Sequence, residues 1–224
     1  MRTADANVRR STCPQHLPCP ASGPNWRHCA AHHTKASRCE AFFLWYGAHM
    51  KTIVQNGDPV LRALAMPVSE EQFGTKELAG IVQDMIDALD AASDGVAIAA
   101  PQIGISLRIF VIRYDRLHPA PEGSPLPAEN AVFINPEFMK VSRRREVMDE
   151  GCLSVRGTYG KTYRHERATV RARDSEGTFF ERGGGGILAQ AFQHETDHLD
   201  GILFIDHALE TYTVPVNAPE PVKE

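Results

Sequence analysis

The sequence predicts an α+β domain in which mixed or antiparallel β-sheets wrap around one central helix that carries a metal-binding pattern. Three observations lead there. Short strand-like runs, Leu107–Arg113, Ala131–Ile134 and Arg167–Arg173, follow one another with turn residues between them. A single helical pattern comes late, over Gly186–Leu199, and stops at Asp200-Gly201. Within it, residues 193–199 read Gln-His-Glu-Thr-Asp-His-Leu, so that His194 and His198 stand four apart. A few short strands and one such helix bury their apolar sides by layering sheet on helix.

In chain order, Thr75 is a good N-cap, and Leu78, Ile81, Val82, Met85, Ile86 and Leu89 recur at helical spacing up to Ala92. Packing duty alone explains that amphipathic helix. Gly95-Val-Ala-Ile-Ala-Ala-Pro-Gln-Ile-Gly104 is small and apolar apart from Gln102, and reads as a tight turn and an apolar strand. The three strand-like runs follow, the last ending in the turn Asp174-Ser-Glu-Gly177. His118–Ala128 holds four prolines and one glycine and reads as a surface loop. Gly183-Gly-Gly-Gly186 precedes the late helix and costs much backbone entropy to order, so a mobile approach to that helix is expected. Residues 207–224 are short and proline-containing, and read as a loose C-terminal tail.

Four residues make about one helical turn, so His194 and His198 point the same way and can offer two imidazole nitrogens to one ion. Glu195 falls beside that ion, placed to take a proton from its bound water, which is the chemistry of metal-assisted hydrolysis. The same pentad also arises as an ion-paired surface stripe. A catalytic site of this kind needs a third protein ligand and an open position. Downstream candidates are Asp200, Asp206, His207 and Glu210, while the Gly-x-x-His continuation of the metzincins is missing. Upstream, Glu150-Gly-Cys-Leu-Ser154 holds Cys152, the one cysteine after residue 39. A lone cysteine often serves as a small buried hydrophobe, but a thiolate with two imidazoles is a recognised catalytic ligand set.

Taken together and in order, Gly95–Gln102, Glu150–Ser154 and Gln193–His198 resemble the three motifs of the peptide deformylase family. The spacing is family-like too, with Cys152 50 residues after Gln102 and His194 42 residues after Cys152. The resemblance runs from Met50 to about Asp206 and makes residues 50–206 the expected catalytic domain. It implies that Cys152, His194 and His198 bind one divalent metal ion, Fe²⁺ first, with Zn²⁺, Ni²⁺ or Co²⁺ as substitutes. It implies Glu195 as general base and then general acid, with the Gln102 amide and the Leu153 backbone N–H facing the oxygen that becomes charged. The implied reaction hydrolyses the N-formyl group of an N-formylmethionyl nascent peptide and releases formate. Val96 and Ile187 are the family positions for the methionine side chain, with Ala97 and Gly151 beside the substrate.

Second partners follow from the same resemblance: Glu150 is expected to pair with Arg164, and Asp197 either orients the site or is a solvated carboxylate. Two positions depart from the family pattern. Ala97 stands where glycine is usual, and the four glycines from Gly183 replace a segment that carries fewer. Two rivals remain. A zinc endopeptidase would use Asp206 or Glu210 as third ligand, and a deformylase-like binding protein would have lost catalysis through Ala97.

Residues 1–49 differ in kind. They hold Cys13, Cys19, Cys29 and Cys39, four of the five cysteines, with six Lys and Arg against two acids, so the +4 there leaves −8 from Met50 onward in a chain of net −4. Met50-Lys-Thr-Ile-Val-Gln-Asn-Gly-Asp-Pro resembles a deformylase start, so a mis-assigned start codon is the first expectation, with a disordered or processed transit tail second. The cysteine spacings do not fit a zinc module, and a disulfide framework conflicts with a Cys152 thiolate in a reducing compartment. The acidic remainder argues against nucleic acid as ligand; Arg143-Arg144-Arg145 reads first as a solvated surface patch, with ribosome contact as the lesser alternative. No segment reaches the roughly 20 apolar residues of a membrane span, and the expected compartment is the bacterial cytoplasm, or an organelle if residues 1–49 are a transit segment.

Overall fold

Thr75 opens the first long helix as its sequence predicts: the Oγ1 accepts a hydrogen bond from the Leu78 N–H at 3.2 Å. This helix, α1 (Lys76–Ala91), buries Leu78, Ile81, Val82, Met85, Ala88 and Leu89 along one side. The computed structural model describes residues 51–117 and 129–214. Readings of the extension before Met50, of the loop His118–Ala128 and of residues 215–224 therefore fall outside the described residues.

Among the described residues, eight strands form two sheets. Five make the larger sheet in the order β1 (Ala97–Ala99), β2 (Ile109–Arg113), β3 (Asn130–Val141), β6 (Arg167–Arg173) and β7 (Phe179–Gly185). Three make the smaller one: β4 (Arg145–Gly151), β5 (Thr158–His165) and β8 (Glu210–Thr213). Every paired strand in both sheets is antiparallel. The second helix, α2 (Ile187–Leu199), touches β1, β2, β5, β6 and β7, so both sheets close on it. The expected sheet-around-helix architecture is the observed one.

The core lies between α2 and the larger sheet. Phe110 and Phe133 stack with centroids 4.7 Å apart, and Phe192 of α2 meets Phe133 edge-on at 5.4 Å. All three are fully buried, each worth about 1.5–3 kcal/mol of transfer free energy. β3 runs well past the expected Ala131–Ile134 because Asn135, at φ 51°, and two register shifts bend it without ending it. The Asn135 side chain holds that bend by accepting from the Val68 N–H and donating to the Val68 carbonyl, both at 2.8 Å.

Two expectations need correction. The glycines Gly183–Gly185 are not a loose approach to α2 but the end of β7, paired opposite Thr169, Ala168 and Arg167. Only Gly186, at φ 57°, leaves the ladder to start the helix. Residues 207–214 are likewise no loose tail: β8 pairs with β5 from Thr158↔Thr213 to Lys161↔Glu210. At the other end of α2, Gly201 sits at φ 75° with an added Cβ only 2.8 Å from the Arg62 carbonyl oxygen, so the helix stop expected there requires glycine.

Candidate active site

The three motifs converge because the chain after Met50 ties two of them together. The Val54 N–H donates to the Gln102 carbonyl at 2.8 Å, the Asn56 N–H to the Ser154 carbonyl at 2.7 Å, and Gln55 Nε2 to the Leu153 carbonyl at 3.1 Å. The helix motif is docked by Gln193, whose amide accepts from the His165 N–H at 2.9 Å and donates to the His165 carbonyl at 3.1 Å. That fixes the rotation of α2 against β5, and with it the direction of the next residue, His194.

Cys152 follows β4 directly, and its Sγ lies 3.1 Å from His198 Nε2. One donor atom each from Cys152, His194 and His198 falls within 4.8 Å of the others. His194 Nδ1 is taken up by Glu150 Oε1, which leaves Nε2 for the cluster. One soft sulfur and two imidazole nitrogens converging in this way fit a divalent metal ion. The rival third ligands lie elsewhere: Asp206 is paired with Arg62, and Glu210 with Lys161 at 2.8 Å.

Glu150 is the hub behind the cluster. Its Oε1 also accepts from Arg164 Nη2 at 2.7 Å, and its Oε2 from Arg164 Nε at 3.1 Å and from the Thr162 hydroxyl. Arg164 Nη1 reaches Asp197 Oδ2 at 2.6 Å. Burial favours the neutral carboxyl at Glu150, but bonds from His194 and Arg164 outweigh it and hold the pKa well below the usual carboxylate range. The expected Glu150–Arg164 pair is present and deeply buried, and Asp197 is an ion-pair partner instead of a solvated carboxylate.

Burial also lowers His198 well below an ordinary histidine, with the His194 charge adding to the effect. At His194 the same burial is outweighed by bonds with Cys152 and Glu150, and its pKa rises. Glu195 is 3% exposed, and burial pushes its pKa up to about 7. Its Oε2 is buried without a hydrogen-bond partner, as is His198 Nδ1. A carboxyl near neutrality with one uncommitted oxygen is the state a proton shuttle requires.

Gln102, 1% exposed, is held by the Ala99 N–H donating to its Oε1 at 2.8 Å. This leaves Nε2 directed at Ser154 Oγ, 3.2 Å, and Cys152 Sγ, 3.6 Å. The Ser154 N–H also donates to Cys152 Sγ at 3.4 Å, so the sulfur sits among donors suited to a thiolate. Gln102, Cys152, Leu153, His194 and Glu195 all border one cleft, whose walls include Val96, Ala97, Gly151 and Ile187. Ile187 is half exposed at its mouth.

Sequence reasoning missed Thr162 and Gln193 as supports, and Tyr159 and Tyr212, which also line the cleft. The Glu-Gly-Cys-Leu-Ser motif showed where Glu150 lies, but its hydroxyl partner Thr162 twelve residues on has no local signature.

Comparison with known proteins gives a consistent result. The polypeptide deformylase family model matches residues 50–213. The peptide deformylase of Acidobacterium capsulatum is 42% identical over 156 residues, 70% of this chain and 85% of the relative. That of Halothermothrix orenii is 42% identical over 67% of this chain and 88% of the relative. Among solved structures, the actinonin-bound class I type b peptide deformylase from Acinetobacter baumannii superposes with a TM-score of 0.63 at 30% identity, covering 72% of this chain and 99% of that one. A peptide deformylase from Legionella pneumophila gives 0.60 at 39% identity, with 69% and 83% covered.

Proposed function

The chain belongs to the polypeptide deformylase family, and we propose on that premise which of its own residues carry the reaction. It is a metal-dependent hydrolase that removes the N-formyl group from the N-terminus of newly made polypeptides. Our reading of the site assigns Cys152, His194 and His198 as the metal ligands and Fe²⁺ as the ion, with Zn²⁺, Ni²⁺ or Co²⁺ able to substitute. The convergence of one sulfur and two imidazoles supports the ligands. When bound, such an ion supplies Lewis acidity and a water whose pKa falls towards neutrality.

The remaining work falls to the chain itself. Glu195 takes a proton from the attacking water and hands it to the leaving amine, as base and then acid, which its pKa of about 7 allows in both directions near neutral pH. Gln102 Nε2, oriented by its bond from Ala99, and the Leu153 backbone N–H donate to the formyl oxygen as negative charge builds on it. Val96 and Ile187 flank the methionine side chain, and Ala97 and Gly151 run beside the substrate backbone. Glu150 and Arg164 orient His194 and touch no substrate.

Formylmethionyl nascent chains are the substrate, and the basic run Arg143–Arg145 at the β3–β4 hairpin is the proposed ribosome-facing surface. The catalytic domain is read as residues 50–206 with β8 added, supported by the family match over 50–213. Among the described residues no helix is long and apolar enough to cross a membrane; a reducing cytoplasm suits the Cys152 thiolate.

The observation that carries this reading is the buried Glu195, its Oε2 without a hydrogen-bond partner, beside a three-donor cluster in a cleft. The test is formate release from a formyl-Met peptide under anaerobic, reducing conditions. Glu195→Ala should cost about 10²–10⁴-fold in rate while the protein still binds one metal equivalent. Cys152→Ala should lose the metal. Metal retained by Cys152→Ala, or turnover retained by Glu195→Ala, would overturn the assignment.

A further inference from the structure

The cleft borders β4 only from Asp149 onward. The rest of that strand is an edge of the smaller sheet, whose order β4, β5, β8 gives β4 a paired neighbour on one side alone. The Arg144 carbonyl accepts from the Glu166 N–H, just past β5, at 3.2 Å, whereas the Asp149 carbonyl accepts from Gln190 Nε2 at 2.8 Å. Peptide groups alternate sides along a paired strand, so those of Arg145, Val147 and Asp149 point away from β5. An edge of this kind is a template for a further strand.

The outward side chains of β4 run from a cation through an apolar residue to an anion. Arg145, Val147 and Asp149 are exposed, and alternate with Glu146, Met148 and Glu150, which are partly or fully buried. Val147 is 47% exposed, and so is Tyr163, opposite it in β5. Arg145 Nη2 donates to the Tyr163 carbonyl at 2.9 Å, and its guanidinium lies 5.7 Å from the Tyr163 ring centroid. Those contacts leave its charge uncancelled. Asp149 accepts a hydrogen bond from the Tyr212 hydroxyl at 3.1 Å and keeps its charge too, since Lys161, opposite it in β5, pairs with Glu210 at 2.8 Å.

We propose that β4 pairs antiparallel with β4 of a second copy of this chain, about a two-fold axis at Val147, joining the two smaller sheets into one. In that register Arg145 of each copy faces Asp149 of the other, so the contact occurs twice by symmetry. Directly opposed residues share a face. One row across the joint therefore runs Tyr163, Val147, then Val147 and Tyr163 of the second copy. The row beside it runs Glu210, Lys161, Asp149, then Arg145 of the second copy, alternating in sign. On the inner face Glu146 meets Met148, with no like charges opposed. Other registers lose the match: an axis at Arg145 or Asp149 sets a charge against itself, and one at Met148 sets Val147 against Asp149. Arg143 and Arg144 precede β4 and take no part. A pairing this short belongs to the weak, transient class of interfaces. It stands apart from the metal cluster and does not depend on the deformylase reading.

The test is sedimentation velocity on the full metal-loaded chain at rising concentration, under reducing conditions so that no disulfide joins the copies. Wild type, Arg145→Glu, Asp149→Arg and an equimolar mixture of the two variants are compared, with circular dichroism to establish that each is folded. Wild type should pass reversibly from monomer to dimer. Each charge reversal alone opposes like charges at both contacts and should weaken the dimer at least about tenfold. The mixture should recover it as a heterodimer, because every carboxylate then faces a guanidinium. Val147→Lys, at an exposed position on the axis, should abolish it and decides the matter alone should a charge reversal fail to fold. A wild type that stays monomeric at its highest soluble concentration overturns the proposal, as does a dimer left intact by any single variant. A mixture of folded variants that stays monomeric beside a dimeric wild type overturns it as well, since other residues then join the copies.

Discussion

On one side of α2 the five-stranded sheet offers Phe110, Phe133, Val170 and Ala172; on the other, the three-stranded sheet offers Glu150, Thr162 and Arg164. Both faces are buried to the same degree, yet they answer to different physics. An apolar face needs volume filled, and tolerates any arrangement that fills it. A charged face is costly unless each group meets its partner at the right distance and angle. The first therefore decides whether the domain folds. The second, through Glu150 on His194, decides where a metal ligand points.

Arg164→Leu is the sharpest way to break that contrast. It leaves Glu150 short of two bonds and Asp197 short of one, and removing one partner of a buried pair costs about 3–5 kcal/mol. Freeing the carboxylate behind His194 should also weaken metal binding about 10–100-fold. Denaturant unfolding and competition with a metal chelator read the two effects. Stability lost with metal affinity intact would reduce the network to a staple. Phe133→Ala tests the opposite side. It removes a fully buried ring from the aromatic cluster, at about 3–5 kcal/mol, but the metal affinity of the folded protein should stay within about twofold of wild type, since the ring meets Phe110, Phe180 and Phe192 and none of these is a ligand. A parallel loss of metal binding would mean that the two faces are not separable.

The same contrast explains what could be read in the sequence. β2 and β6 stood out because their inward residues are apolar and fit a buried strand. β4 and β5 did not, since their inward positions are Glu150, Thr162 and Arg164 and no apolar alternation marks them. β7 ends in three glycines with little strand preference of their own and is held by its pairing to β6. β8, at four residues, takes its order from β5. The chemical residues were legible for a different reason. Cys152, His194, Glu195 and His198 lie in short runs whose spacing is itself the signal, whereas Tyr159 and Tyr212, far apart in sequence, meet only through register.

The smallest expected effect lies at the rim of the apolar sheet, where a charge pair does occur. Arg113, the last residue of β2, holds Asp115 through two bonds of 2.9 Å, and its hydrogen bonding is the main reason the Asp115 pKa falls from 3.8 to about 2. A pKa depressed in the folded state means that the folded protein binds fewer protons than the unfolded chain. The pair's contribution is then complete above about pH 4 and fades as pH falls through about 2. Unlike Glu150, Asp115 orients no ligand, so only stability should respond. Asp115→Asn should destabilise by about 1 kcal/mol at pH 7, and its unfolding midpoint should approach that of wild type as pH is lowered from 4 to 2. A gap that stays constant over this range would show the pair to act by packing and not by charge.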